Sequence, residues 1–295
     1  MEDCNSSGQV RLMTWVVPRS VSTAFTKFMS FACEDSTIIC EPYVTADRHR
    51  HEGLKDATHH RATITALTAT ADKKPSVTEG REPSDYTFGF VKEQLDAPYT
   101  GNKLVFCKDA AFTVIDKLKF LPQDYRHVFL IRHPLKVFAS YKKVYETFTP
   151  HEFELDEVVP VPKLPPGFFF CEMVELLEHV REVHDPKAII IDADDLLSDP
   201  KGILSALFEE VGLPFDEKCL QWEAGDAIVG QWVASNSFTS RNEVCGCCRR
   251  ALESSFFEKP NALPDRSSLP CDVLRCTDAS MPYYEKMYAQ RLRLY

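Results

Sequence analysis

The sequence predicts a parallel α/β fold, in which helices cover both faces of a central sheet. Short apolar runs alternate with segments of helical periodicity, and the runs are rich in Val, Ile, Leu and Phe, as strands buried on both faces usually are. The predicted strands are Val10–Val17, Thr37–Cys40, Lys103–Cys107, His127–Ile131 and Lys187–Ile191. We therefore expect a central sheet of about five strands.

Apolar residues that recur every three or four positions predict the helices between these strands. One series, from Val21 to Ala32, follows the first strand directly, and a second, from Leu135 to Tyr145, has Pro134 near its first turn. Further series predict helices over residues 173–183 and, at the end of the chain, 283–294.

The amino-acid composition argues against several classes of protein. The chain has 295 residues, a hydrophobic content of 44% and a net charge of −10, which are typical of a globular protein and argue against a nucleic-acid binder. No apolar run approaches the roughly 20 residues that a membrane-spanning helix needs. The first five residues are acidic and polar, unlike a signal peptide, so a cytoplasmic protein without a membrane partner is predicted.

The chain offers no convincing linker, so we expect one domain over residues 1–295. Two polar stretches, 43–100 and 149–167, are too long for simple connections and are predicted as surface inserts or substrate-covering lids. The first contains four histidines, and exposed histidines in a polar insert are usually solvated; they are His49, His51, His59 and His60.

Eleven cysteines are scattered along the chain. The densest group, Cys245, Cys247 and Cys248, with Cys271 and Cys276 downstream, raises the question of a metal or redox site. Its spacing is not that of a paired C-x2-C zinc framework, and reduced thiols are the favoured interpretation. We predict no metal.

The segment from Trp15 to Phe25 contains the first candidate site. A buried strand runs into Pro18-Arg19-Ser20-Val21-Ser22-Thr23, and a helix begins at once. Such a turn directs backbone N–H groups at one spot, where Arg19 and the hydroxyls of Ser20, Ser22 and Thr23 add donors. No acidic residue lies between Cys4 and Cys33. The segment suits an anion, although a Ser/Thr helix cap would give a similar sequence.

A second candidate anion site follows the fourth strand. Arg132 ends that strand, and Lys136, Ser140 and Lys143 share one polar face of the next helix. Open parallel sheets bind ligands at the carboxyl ends of their strands. Lys142 and Lys143 are expected to be solvated.

The chain lacks the G-x4-G-K-[ST] signature of common ATP-binding loops. Asp192 resembles an acidic residue that supports magnesium, but without that signature Asp192 and Asp194 are predicted to cap the helical turn at 195–197.

Together the two motifs resemble those of the sulfotransferase family, whose donor is 3′-phosphoadenosine 5′-phosphosulfate (PAPS). Pro18–Thr23 is similar to the 5′-phosphosulfate loop of the family, with Arg19 where family members have Lys or Arg. Arg132 and Ser140, eight residues apart, are similar to its 3′-phosphate motif. Glu41-Pro42, Lys108-Asp109, the region from Asp192 to Phe215, and Trp222 and Trp232 resemble one branch of the family.

This resemblance implies a P-loop-NTPase-like, three-layer α/β/α fold and transfer of a sulfuryl group from PAPS to a hydroxyl or amine of a small-molecule acceptor. It implies that Arg19, Ser20, Val21, Ser22 and Thr23 bind the 5′-phosphosulfate, that Arg132 and Ser140 bind the 3′-phosphate, and that Arg19 stabilises charge on the departing oxygen. Glu41 is the first choice as general base, because it is expected to end the strand beside the loop and to face the same cleft; the histidines of the first insert are weaker candidates. No metal is required.

Two features depart from the family pattern. Val21 replaces a glycine common in the loop, and the Arg-Lys-Gly closing motif has only Arg241 and Arg249-Arg250 as weak substitutes. Two alternatives therefore stay open. One is a phosphotransferase that uses ATP and magnesium, and the other is a non-catalytic nucleotide-binding protein.

Overall fold

The computed structural model describes residues 8–52, 87–147, 154–155, 166–235, 238 and 246–294. Its strands are β1 (Val10–Val16), β2 (Ser36–Cys40), β3 (Leu104–Ala110), β4 (Arg126–Ile131), β5 (Ile189–Asp192) and β6 (Val233–Ala234). They form one parallel sheet in the order β5-β4-β1-β3-β2-β6, with β1 among the central strands.

Nine α-helices lie in the described ranges: α1 (Ser22–Ala32), α2 (Pro42–Glu52), α3 (Phe88–Asp96), α4 (Pro134–Glu146), α5 (Phe170–Val183), α6 (Ala193–Ser198), α7 (Pro200–Val211), α8 (Arg249–Glu253) and α9 (Cys271–Tyr288). Short 3₁₀ helices occur at Ala111–Thr113, Ile115–Phe120, Glu217–Leu220, Ala227–Gln231 and Arg266–Ser268. None of these helices has the length and apolar character that crossing a bilayer requires.

The sheet is buried on both faces because successive residues of each strand point to opposite sides. In β1, Met13 and Trp15 enter a core covered by α2, α3, α4, α5 and α9, whereas Leu12 and Val16 enter a core covered by α1, α6, α7 and α8. The three-layer, P-loop-like α/β fold is therefore confirmed, and each predicted strand is present within a few residues of its expected bounds.

Two elements differ from the prediction. The sheet has a sixth strand, β6, which contains only two residues and is too short to produce a periodic pattern. The last helix spans Cys271–Tyr288 rather than 283–294. Its buried face includes the small polar residues Thr277 and Ser280, so an apolar period is weak over its first half.

The ends of the first predicted insert pack into the core. Tyr43 in α2 and Val91 in α3 are fully buried. Residues 53–86, with His59 and His60, lie outside the described residues, as do the side chains of His49 and His51 and most of 149–167. The single domain with lids over these stretches stays a prediction.

Asp192 caps α6, as the sequence predicts. Its carboxylate accepts hydrogen bonds from the backbone N–H groups of Asp194 and Asp195 at 2.9 and 3.2 Å, and the Tyr284 hydroxyl donates to its other oxygen at 3.1 Å. Asp194 was expected to cap too, but its side chain instead pairs with Lys136. Burial, together with the charges of Asp194 and Asp195, raises the pKa of Asp192 from 3.8 to about 6.

This raised pKa predicts how Asp192→Asn changes stability with pH. The folded protein binds the proton of Asp192 more tightly than the unfolded chain, so its contribution to stability falls as the pH rises from about 4 to about 6. The asparagine oxygen can accept the same capping bonds but does not ionise. We expect urea unfolding to show a variant more stable than the wild type by on the order of 2 kcal/mol at neutral pH, with a smaller difference near pH 4. A variant less stable than the wild type at neutral pH would contradict this.

Candidate functional site

The loop between β1 and α1 has an unusual backbone. Arg19 and Val21 have positive φ angles of 64° and 59°, and Ser20 between them is fully buried, its hydroxyl donating to the Val17 carbonyl at 2.8 Å. A β-branched residue in the left-handed region is strained, and such strain concentrates at ligand-binding segments. Ser20 can therefore bind a ligand through its backbone but not through its side chain.

A cleft of about 420 Å³ opens at this end of the sheet. Its first wall is the loop and the start of α1, and its second wall is α4 with Arg132, Lys136 and Ser140. A third wall comes from residues 247–264, which run across the opening. The two predicted anion-binding motifs therefore line one cavity.

Three hydrogen bonds join the walls. Arg19 Nε donates to Ser140 Oγ at 3.0 Å, and Arg19 Nη1 donates to the Cys247 carbonyl at 2.8 Å. Arg132 Nη1 donates to the carbonyl of Arg19 at 3.0 Å. The guanidinium of Arg19 consequently lies where all three walls meet.

Arg132 retains unused donor capacity. Its Nε lies 3.5 Å from the Asp194 carboxylate, which is too long for a strong hydrogen bond, and is among the buried nitrogens that have no hydrogen-bond partner. Burial lowers the pKa of Arg132, while the charge of Asp194 opposes that shift. An anion that accepts a hydrogen bond from this guanidinium would offset part of the free-energy cost of burying it.

The cleft is strongly positive in a chain whose net charge is −10. Only one carboxylate, that of Glu258, lies among the described residues that line it. Six cationic side chains line it as well: Arg19, Arg132, Lys136, Lys143, Arg250 and Lys259. This excess of cations suits a ligand that carries more than one negative group.

The remaining loop residues occupy different positions. Val21, Ser22 and Thr23 line the cleft, and Thr23 donates its hydroxyl to Cys248 Sγ at 3.2 Å. Ser20 is not among the lining residues, so its hydroxyl is not in position to bind a ligand in this cleft.

Glu41 lies elsewhere than expected. Strand β3 separates β2 from β1, so Glu41 does not end the strand beside the loop, and it is not among the residues that line the cleft. Its carboxylate pairs with the buried ammonium of Lys108 at 2.6 Å, and its φ is 56°.

Sequence patterns missed the third wall. Residues 247–264 contain only the five-residue helix α8, so no periodicity marks them, although basic and aromatic residues are dense there. The solvated interpretation was wrong for Lys142, which forms an ion pair with the buried Asp272 at 2.7 Å. Lys143 is exposed, as predicted, and lines the cleft.

The cysteines do not assemble into one metal site. Cys247 and Cys248 lie at the cleft, with their sulfur atoms 3.7 Å apart, whereas Cys271 and Cys276 belong to α9. Within the part of the chain that the structure describes, no group of three or more His, Cys, Asp or Glu side chains could hold a metal ion. Cys245 lies outside that part.

Part of the chain is similar to a known family. Residues 183–291 match the family model described as a sulfotransferase domain. The matched residues include the third wall of the cleft but neither Arg19 nor Arg132, so this match is independent of the two anion-binding motifs.

Two curated relatives of this chain come from Arabidopsis thaliana. The branched-chain-amino-acid aminotransferase-like protein 2 is 26% identical over 74% of this chain and 33% of its own length. The branched-chain-amino-acid aminotransferase-like protein 1 is 25% identical over 92% of this chain and 40% of its own length. The chain thus spans only a third to two-fifths of these relatives.

Two solved structures are similar to this chain at low identity. The sulfotransferase domain from the Synechococcus PCC 7002 olefin synthase has a TM-score of 0.46 and 15% identity, over 99% of this chain and 98% of that domain. The sulfotransferase domain from the curacin biosynthetic pathway has a TM-score of 0.46 and 12% identity, over 92% of this chain and 96% of that domain.

The strained Val21 predicts a gain from Val21→Gly. Glycine adopts the observed φ without steric cost, and loss of the branched side chain lets a ligand approach the loop more closely. We expect the affinity for 3′-phosphoadenosine 5′-phosphate to rise by about three- to tenfold in calorimetry, which is up to 1.4 kcal/mol. Val21→Ala is the control, because it removes the branch but keeps the strain. Weaker binding by the glycine variant would contradict the expectation.

Proposed function

We propose that this protein is a sulfotransferase that moves a sulfuryl group from PAPS to a hydroxyl or amine of a small-molecule acceptor. The observation that carries the proposal is that Arg19 and Arg132 line one cleft and are joined by a hydrogen bond. A donor nucleotide with a 3′-phosphate and a 5′-phosphosulfate presents two anionic groups on one ribose, and this cleft offers a cationic group for each.

The 5′-phosphosulfate would lie against the loop. The N-terminus of α1 carries a partial positive charge, and its first residues Ser22 and Thr23 line the cleft. Arg19 stands beside them, in reach of the bridging oxygen that leaves with the nucleotide. Sulfuryl transfer depends mainly on alignment and on stabilisation of that developing charge. Ser22 and Thr23 would supply the alignment, and Arg19 would supply the stabilisation.

The 3′-phosphate would lie between Arg132 and Ser140. The hydroxyl of Ser140 now accepts from Arg19, and it can instead donate to a phosphate oxygen once Arg19 turns to the phosphosulfate. Lys136 and Lys143 of the same helix add long-range attraction. Phe256 at the cleft is 55% exposed and offers its ring to the adenine base.

Glu41 is proposed as the general base, acting from the carboxyl end of β2, outside the residues that line the cleft. A base has to reach the acceptor proton within hydrogen-bond distance. Lys108 fixes the orientation of the Glu41 carboxylate, since the ammonium is 2% exposed and 2.6 Å away. The acceptor hydroxyl or amine would therefore enter from the β2 and β3 side of the loop.

A thermal-shift panel tests the donor, with 3′-phosphoadenosine 5′-phosphate compared against AMP, ADP and ATP with magnesium. Transfer from radiolabelled PAPS to a panel of alcohols, phenols and amines then tests the reaction. We expect preferential stabilisation by the bisphosphorylated nucleotide and label transfer without added metal. We also propose a cytoplasmic location, in keeping with the free cysteines of the described residues.

The other results decide between the alternatives. Preference for ATP with a magnesium requirement would replace the proposal with a phosphotransferase. Tight binding of 3′-phosphoadenosine 5′-phosphate without transfer to any acceptor of the panel would replace it with a nucleotide-binding protein on the same fold.

A further inference from the structure

Lys27 is a fully buried cation held by backbone carbonyls. It lies in α1, and its ammonium donates to the carbonyls of Gly225 and Ser254 at 3.0 Å each and to that of Leu252. Three acceptors satisfy the three donors of an ammonium group. This position is therefore a complete carbonyl cage for one positive charge.

The cage belongs to the third wall of the cleft. Leu252 is in α8, and Ser254 follows that helix, so Lys27 binds at the carboxyl end of α8, where the helix dipole favours a cation. The backbone N–H of Gly225 donates to the carbonyl of Leu252 at 2.9 Å, and that of Trp222 donates to Ser255 at 2.9 Å. The cage thus links α1, residues 222–225 and the segment that closes the cleft.

Lys27 lies on the same face of α1 as Thr23, the residue of this helix that contacts Cys248. Thr23 and Lys27 are four residues apart, hence one above the other on the helix. Thr23 donates to Cys248 at 3.2 Å, and Arg19 just before the helix donates to the carbonyl of Cys247 at 2.8 Å. Three side chains from one stretch of the chain therefore hold the start and the end of α8.

We propose that Lys27 is a positioning residue for the donor cleft, which holds residues 247–254 against α1 and so keeps the third wall in contact with Arg19. This inference rests on the proposed function, because it concerns the same nucleotide. Lys27 does not line the cleft and touches no ligand there. Its effect on binding passes through the carbonyls of its cage.

The charge, rather than the bulk, of Lys27 is what the cage requires. A buried carbonyl that loses its only donor pays its full desolvation cost, and an uncharged side chain of equal size takes the ammonium donor away from all three carbonyls. The Leu252 and Ser254 carbonyls keep the Gly225 N–H and the Trp222 Nε1–H as second donors, at 2.9 Å each, so the loss is largest at the Gly225 carbonyl. The segment relieves this by moving toward water, which draws the Cys247 carbonyl away from Arg19. The nucleotide would then bind to a cleft whose third wall is displaced.

The test compares Lys27→Met, Lys27→Arg and Lys27→Ala in calorimetry with 3′-phosphoadenosine 5′-phosphate and in steady-state transfer. For Lys27→Met we expect the dissociation constant and the donor KM to rise by about tenfold while kcat changes by less than about threefold. Lys27→Arg keeps the charge and recovers part of the affinity. For Lys27→Ala, added n-propylammonium replaces the missing atoms and restores binding.

Lys142→Met is the matched control. It also removes a lysine from a buried contact, that with Asp272, and although Lys142 belongs to α4 its side chain does not line the cleft. We expect it to lower the melting temperature and to leave nucleotide affinity within about twofold of the wild type. If Lys27→Met only lowers the melting temperature in the same way, Lys27 is structural and the inference is overturned.

Two further results keep the inference testable. If Lys27→Met does not fold, amide hydrogen exchange of the wild-type protein is measured with and without the nucleotide instead. The inference predicts that the nucleotide slows exchange at residues 249–254, and unchanged exchange there overturns it. A wild type that does not bind the nucleotide overturns the proposed function instead, before any Lys27 variant is made. Normal wild-type binding with an unaffected Lys27→Met overturns the positioning role alone.

Discussion

Arg19→Ala should lower kcat for sulfuryl transfer by about 10²–10³-fold, the usual loss when one group that stabilises developing charge is removed. The donor KM should rise by less than about tenfold, because the interaction strengthens as the leaving oxygen gains charge. Arg19 stands where the three walls of the cleft meet, and its hydrogen bonds to Ser140 and Cys247 aim its guanidinium at the loop. The measurement is steady-state transfer of radiolabelled sulfate from PAPS to an acceptor found in the panel.

Arg19→Lys is the matched control, because it keeps the charge but loses the fork of donors. We expect the lysine variant to retain kcat within about tenfold of the wild type, because its ammonium keeps the positive charge beside the loop. Arg19→Ala loses both the charge and the hydrogen bonds to Ser140 and Cys247, so the difference between the two variants reports the cationic donor. An effect of Arg19→Ala confined to KM would make Arg19 a binding residue without a catalytic role.

Arg132→Ala should weaken binding of 3′-phosphoadenosine 5′-phosphate by about 1.5–3 kcal/mol, the range for a hydrogen bond to a charged group. This corresponds to a dissociation constant raised by about 10- to 150-fold. The guanidinium of Arg132 lines the cleft, and its Nε lies 3.5 Å from the Asp194 carboxylate, which is too long for a strong hydrogen bond, so a phosphate in the cleft would add an ion pair to this guanidinium. Isothermal titration calorimetry measures the effect directly.

AMP provides the control for Arg132, since it lacks the 3′-phosphate. If Arg132 binds only that phosphate, the variant and the wild type should bind AMP equally, and the preference for the bisphosphorylated nucleotide should disappear. Equal loss of affinity for both nucleotides would show that Arg132 acts through the Arg19 carbonyl that it holds. Unchanged affinity for both would remove the 3′-phosphate assignment.

The fold could be predicted because its strands are buried on both faces. Burial demands continuous apolar runs, and each of the five longer strands shows one, whereas β6 contains two residues and shows none. Helix α9 was predicted only in part. Thr277 and Ser280 are buried in its core-facing side, and packing against neighbouring helices, rather than apolar periodicity, decides their position.

The residues of the candidate site also divide into those that the local sequence predicted and those that it did not. Arg19 and Arg132 were predicted because each follows a strand and precedes a helix, and such turns carry a local pattern. The placement of Glu41 was not, because the order of strands in a sheet is a long-range property that a single sequence does not display. The third wall was missed because residues 247–264 owe their position to Lys27, Thr23 and Arg19, which lie more than two hundred residues earlier.

The sequence by itself determined the parallel sheet, the loop that begins α1 and the two cationic motifs, since local burial and local turn chemistry specify all of these. Only the tertiary structure decided that Arg19 and Arg132 line one cleft, that β3 separates Glu41 from the loop, and that a distant segment closes the cavity. The physical reason is that these features depend on hydrogen bonds and ion pairs between groups far apart in the chain, which become neighbours only when the core has formed.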